Sequence, residues 1–226
     1  MAEQLGFDLP SRPALGRDAF FVAPTNAMAL AMIDGWQAWA GGKLVLTGPP
    51  GSGKTHLTHV WADMANAQII AADALQTADI PTFASGNVAV EDVPNIAGVP
   101  AAQTALFHLH NLVLAEGHAL LLTGAPPAAT WALELPDLMS RLRGTTEISL
   151  AAPDDTLLAA VLVKLLADRQ LSPKPDLIPY LLTHMDRSFA AAQQITQRLD
   201  AASLALKRPL TRALAVQVLD KPDRDT

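Results

Sequence analysis

The residues with the most chemistry in this chain stand together at Gly48-Pro49-Pro50-Gly51-Ser52-Gly53-Lys54-Thr55, which satisfies the pattern G-x-x-x-x-G-K-[ST] at every fixed position. Such a segment cradles phosphate. Its glycines let the backbone turn tightly and aim successive N–H groups at phosphate oxygens, with the positive end of a helix dipole behind them. Pro50, Gly51, Ser52, Gly53 and His56 would line the cradle, Lys54 would reach the β and γ phosphates, and the Thr55 hydroxyl would hold Mg²⁺. The motif needs a strand before it and a helix after it. Residues 43–47 have the length and β-branching of a buried strand, and Leu57, Val60, Trp61 and Met64 recur beyond it at helical spacing.

Further polar residues end other apolar runs. Val88-Ala89-Val90 leads into Glu91 and Asp92, as a Walker B strand does, although Glu91 stands where Asp is usual. At the carboxyl end of a strand beside the P-loop strand, these acids would bind Mg²⁺ and orient an attacking water; the bland reading is a solvated strand end. Thr123 ends the next run and would meet the γ-phosphate or that water. Arg141 and Arg143 lie in the stretch 135–144, before the last predicted strand. They are either solvated charges or an edge that completes a neighbouring subunit's site, where an arginine stabilises transition-state charge in trans. His56 and His59, and His108 and His110, are pairs without a third ligand, which argues against a metal centre.

These residues need a frame. Strands are predicted at 68–71, 88–93, 119–123 and 147–150, with a helix over 101–116 between the second and third, the alternation of a parallel sheet wrapped by crossover helices. Residues 20–40 read as an apolar lead-in followed by a helix capped by Thr25 or Asn26, with Met28, Met32, Ile33, Trp36 and Trp39 mainly in the core. After Pro153 the strand signals vanish. Four helical patterns follow, beginning near Asp154, Pro173, Arg187 and Thr211. The expected organisation is a tail over 1–12, an α/β base over 13–152 and an all-α lid over 153–226.

Composition narrows the class. Half of the 226 residues are apolar, so a sizeable core can form, and no apolar run has the roughly eighteen residues a membrane span requires. The N-terminus has neither a basic region nor an apolar core of a secretion signal, and there is no cysteine, which points to a cytoplasmic protein without disulfides. A net charge of −6 argues that direct DNA contact is weak or absent, with the cluster Lys207, Arg208 and Arg212 as the one basic exception. In the tail, Gln4-Leu5-Gly6-Phe7-Asp8-Leu9 would project Leu5, Phe7 and Leu9 to one side when extended, either into a partner's pockets or back onto the chain's own domain.

The order FFVAPTNAMAL, GPPGSGKTHL, VAVEDVPNIAG, LLLTG and LPDLMSRLRG resembles the DnaA/Hda family of AAA+ ATPases over roughly residues 20–220. The chain ends where a helix-turn-helix DNA-binding domain would follow in the replication initiator, so the resemblance is to family members that lack it. It implies a P-loop AAA+ parallel sheet with flanking helices and a helical lid, binding ADP or ATP with Mg²⁺. It assigns Phe21, Val22 and Asn26 to the base of the nucleotide, and Gln4, Leu5, Phe7 and Leu9 to the sliding clamp, the β subunit of DNA polymerase III. It makes Arg141 an arginine finger offered to ATP held by DnaA, and the protein a negative regulator of replication initiation. At the sensor 2 position this chain has Ala190, with Arg187 one turn earlier, so either Arg187 substitutes or the γ-phosphate is poorly sensed. The nucleotide would then act as a conformational switch with slow turnover. The alternatives are an autonomous AAA+ loader or motor, a small-molecule kinase, and a binding adaptor; a pairing of two copies is left open.

Overall fold

A computed structural model describes Arg17 and residues 20–220. Five parallel strands form one sheet: β1 (Lys43–Thr47), β2 (Gln68–Ala71), β3 (Val88–Glu91), β4 (Leu120–Gly124) and β5 (Thr146–Ser149), in the order β2-β3-β4-β1-β5. The inner strands are apolar on both faces because helices cover both, as a parallel sheet requires. Alternation then sorts their side chains. Val45, Val88, Val90, Leu120 and Leu122 face a core shared with α4 (Pro100–Ala115) and α5 (Pro136–Arg143). Leu44, Leu46, Ala89 and Leu121 face another shared with α1 (Ala27–Asp34) and α2 (Lys54–Ala65). A short helix, α3 (Ile80–Ala84), completes the base.

β1 runs through the middle of this arrangement, in register with β4 through Lys43↔Leu120 and with β5 through Leu44↔Thr146. Its Leu44, Val45 and Leu46 are fully buried, each contributing roughly 1.5–3 kcal/mol. Both ends of β1 are therefore rigid mounting points. Trp61 of α2 is fully buried and stacks on Trp39 at 5.3 Å between ring centroids, which fixes α2 and with it the start of the phosphate cradle.

The sequence expectation places β3 next to the P-loop strand. Instead β4 lies between β1 and β3. Met28 and Met64, read as apolar-face residues, are also exposed, since no described element covers them. The lid has its own core, built from Leu158, Leu162 and Leu166 of α6 (Asp155–Asp168), Leu177 and Leu181 of α7 (Leu177–His184), Ile195 and Leu199 of α8 (Phe189–Leu206), and Leu214 and Val218 of α9 (Arg212–Leu219). Asp154, Ser188 and Thr211 cap α6, α8 and α9, each accepting a hydrogen bond from the backbone N–H three residues on.

Candidate functional site

β1 delivers the chain at Thr47, whose Oγ1 donates to Glu147 Oε1 on β5 at 2.9 Å and so anchors the entry to the P-loop. Gly51 and Gly53 then take φ of +70° and +98°, left-handed values that make glycine the residue of choice there. The Ser52 N–H donates to Pro49 O at 3.2 Å, closing the turn, and Lys54 begins α2. Lys54 is only 9% exposed and folds over the loop, with Nζ donating to Gly48 O at 2.8 Å and Pro49 O at 3.0 Å. Burial pulls its pKa down, while Asp92 and then Glu91 act in the opposite sense.

Two buried polar atoms here have no hydrogen-bond partner, Ser52 Oγ and Glu91 Oε1. Orphans of this kind are rare in folded proteins. A phosphate accompanied by a divalent cation supplies what each lacks: an acceptor for the serine hydroxyl and a positive charge for the carboxylate. Thr55, on the first turn of α2, is exposed and free to join such a metal. Asp92 is exposed with φ of +55°, and its N–H donates to Thr123 Oγ1 at 3.2 Å, so the end of β4 sets the direction of the chain as it leaves β3. Thr123 is buried.

The base-binding segment lies against α2. His56 meets Phe20 edge to face, with centroids 5.2 Å apart, and Phe21 has Lys164 of α6 over its ring at 5.8 Å. Val22 is exposed. Asn26 sits at the N-cap position of α1 without capping it. Its amide instead donates to Phe21 O and its Oδ1 accepts from Ala23 N–H, both at 2.8 Å, so it clamps the loop that carries Phe21 and Val22. Thr25 Oγ1 is buried without a partner and caps nothing either.

Contacts from the lid, invisible to sequence reasoning, reach the cradle directly. The Phe189 N–H donates to Gly51 O at 3.0 Å, and a Cβ built on Gly51 would come within 2.3 Å of Ser188 Cβ. The Phe189 ring lies over Gly53 beside Phe20. Arg187 is held in a 3.0 Å ion pair with Asp155 at the start of α6, and Ala190 is exposed. The lid thus meets the P-loop through a backbone N–H and an aromatic ring.

Arg141 lies elsewhere. It is exposed near the end of α5, and its backbone carbonyl accepts from Lys43 Nζ at 3.3 Å and from Thr145 Oγ1 at 2.8 Å. Lys43 begins β1, whereas the P-loop leaves its other end, about 13 Å away at the usual strand rise. Among the described residues the Arg141 guanidinium is in no ion pair. Arg143 is exposed as well.

Behind Lys43 stands His110, 2% exposed, its pKa pushed down to about 4 by burial and by the Lys43 and Arg141 charges facing it, against a smaller opposing effect from Asn111. The unfolded chain binds the proton that folded His110 refuses, so stability is complete above pH 6.5 and falls as pH drops toward 4. Each tenfold difference in proton affinity corresponds to about 1.4 kcal/mol, so a loss on the order of 2–3 kcal/mol is expected across that window. Urea midpoints measured against pH should show this slope in the wild type and a flatter one in His110→Gln; parallel curves would contradict it.

Gln4, Leu5, Phe7 and Leu9 lie outside the described residues. Among the described residues no group of His, Asp and Glu has the arrangement of a metal centre, and no helix is long and apolar enough to cross a membrane.

Comparison with known proteins places this geometry. Residues 155–219 match the family model described as Hda, lid domain. Domain III of the Thermotoga maritima replication initiation protein DnaA superposes with a TM-score of 0.79 at 18% identity, covering 95% of this chain and 100% of that one. AMPPCP-bound DnaA from Aquifex aeolicus gives 0.72 at 18% identity over 87% of this chain and 68% of its own. An uncharacterized Haemophilus influenzae protein is 26% identical over 187 residues, spanning 76% of this chain and 79% of its own length.

Proposed function

We propose that this Hda-like, DnaA-related AAA+ protein regulates replication initiation by completing, with Arg141, the hydrolytic site of an ATP held by DnaA, while residues 4–9 hold it on the sliding clamp. The observation that carries the reading is the placement of Arg141: an exposed cation, without an ion-pair partner among the described residues, at the end of β1 remote from its own P-loop. So placed, the charge is available to a neighbouring molecule's site.

The P-loop itself takes an adenine nucleotide. Gly51, Ser52, Gly53 and Lys54 receive the phosphates, Phe21 and Val22 the base on the loop that Asn26 clamps, and Thr55 with Glu91 holds Mg²⁺. That metal, when bound, neutralises phosphate charge. Because α8 is latched to Gly51 through its own backbone and Arg187 is engaged with Asp155, the lid does not depend on a γ-phosphate to hold its angle. The bound nucleotide therefore serves to fix base and lid together, and the hydrolysis that matters takes place in the partner. There Arg141 brings a planar, permanently charged guanidinium to the oxygens on which negative charge accumulates.

The test uses DnaA loaded with labelled ATP, clamp assembled on DNA, and the full chain or a form lacking residues 1–9. The full chain should accelerate hydrolysis; the truncated form should keep its nucleotide affinity but lose clamp association and most of the stimulation. Equal association of the two forms with the clamp would remove the tail from the account. Turnover by the isolated protein that accelerates with its own concentration would favour an autonomous motor, for which the carboxylates Asp92 and Glu91 acting electrostatically on Lys54 are the supporting observation.

A further inference from the structure

Beside Arg141 an open pocket of about 540 Å³ is lined by Lys43, Phe107, Asp137, Ser140, Arg141 and Gly144. We propose that this pocket is an oxyanion site in which Lys43 is a second cation beside Arg141, and that its occupant is a phosphate group, in the assembly the terminal phosphate of the partner's nucleotide. The proposal rests on the trans role assigned to Arg141.

Lys43 is held for such a task. It is half-buried at the start of the central strand, and its Nζ lies 3.4 Å from His110 Nε2 and 3.3 Å from the Arg141 carbonyl oxygen. His110 Nδ1 lies 3.4 Å from Asn111 Oδ1, an acceptor, so the ring proton belongs on Nδ1 and Nε2 offers a lone pair to Lys43. His110 is neutral at physiological pH, since its pKa lies near 4, and this relay therefore orients the ammonium without neutralising it. Two of the three ammonium N–H groups are thereby committed, and the third is left for the pocket that Lys43 lines.

The charges in the pocket do not cancel. Lys43 and Arg141 face one carboxylate, Asp137, and neither is in an ion pair with it or with any other described acid. The Lys43 pKa is lowered by burial and by Arg141, with no carboxylate acting the other way. Two neighbouring cations and a serine lining one pocket form a site suited to a multiply charged anion with several acceptor oxygens. A phosphate matches that better than a single carboxylate, because its extra charge offsets both cations at once. Since Lys43 also holds the Arg141 carbonyl, occupation of the pocket would keep α5 in place while its guanidinium works.

The experiment follows the full chain by NMR, with the P-loop saturated with ADP so that its own phosphate site is filled. Inorganic pyrophosphate should shift the Ser140 and Gly144 amides and the Arg141 side-chain resonance. The Lys43→Gln variant should weaken that binding at least tenfold and Lys43→Arg should restore it, with unchanged ADP affinity at the far end of β1 as the control for folding. In the DnaA assay, Lys43→Gln should lower stimulation about tenfold without altering clamp association. Pyrophosphate that leaves those resonances unmoved, or a Lys43→Gln variant that stimulates as well as the wild type, overturns the inference. Pyrophosphate binding by the wild type that Lys43→Gln weakens, together with an Arg141→Ala variant of undiminished stimulation, supports the oxyanion site and overturns the functional reading instead.

Discussion

Replacing Arg141 by alanine is expected to abolish the proposed stimulation of DnaA-bound ATP hydrolysis while leaving the protein folded and able to bind nucleotide and clamp. An arginine supplied in trans to a phosphoryl-transfer site is worth roughly 10³–10⁵ in rate, so the stimulated component should fall about a thousandfold or more. The fold should not notice. The side chain is exposed, and among the described residues the hydrogen bonds that Arg141 accepts from the Lys43 and Thr145 side chains go to its backbone carbonyl, which alanine retains. Arg141→Lys should rescue little, because an ammonium is a point charge without the planar fork of donors. Single-turnover hydrolysis of labelled ATP on DnaA measures the effect, with thermal denaturation and clamp pull-down as controls. Undiminished stimulation by the alanine variant would remove Arg141 from the mechanism.

A second large effect is expected at Gly51. The change Gly51→Ala places a methyl group 2.3 Å from Ser188 Cβ at a residue whose φ of +70° already disfavours a side chain. The backbone strain costs on the order of 1–3 kcal/mol, and the overlap a further 1–3 kcal/mol unless the lid withdraws. Withdrawal breaks the hydrogen bond from the Phe189 N–H to Gly51 O and lifts the Phe189 ring from Gly53. Adenine nucleotide affinity should fall by about ten- to a hundredfold, which isothermal titration would register. A double-mutant cycle with Ser188→Gly isolates the collision, since glycine still serves as an N-cap at a cost of only a few tenths of a kcal/mol. The second change should recover a large part of the lost affinity; two independent, additive losses would contradict a role for the lid contact in nucleotide binding.

Sequence reasoning reached the strands because each is a short apolar run bounded by breakers, and these runs fall within one or two residues of β1 to β5. It located the glycine-rich turn between β1 and α2 because glycine, lysine and threonine at that spacing have few other uses. It could not give the order of the strands: nothing local to Val88–Glu91 records that β4 will slide between it and β1. Asn26 shows a similar limit. Its type and position suit a helix cap, yet the loop carbonyl of Phe21 and the N–H of Ala23 claim its side chain first. The pairings Phe189 with Gly51 and Lys43 with His110 join residues 138 and 67 positions apart in the chain, and only the folded sheet and lid bring them together. Arg187 is a case where both readings were open from sequence, and in the structure its guanidinium is taken up by Asp155.

The central strand runs into the P-loop at one tip, and at the other its Lys43 holds the Arg141 carbonyl of α5. An interface that joins finger to cradle is therefore directional: it presses unlike surfaces together, so each molecule that donates still has its own acceptor end vacant. A symmetric pair of copies would bring like ends together and leave both arginines idle. If Arg141 acts as the proposed finger, growth in one direction only, stopped by whichever molecule cannot offer a P-loop, is the assembly this polarity favours.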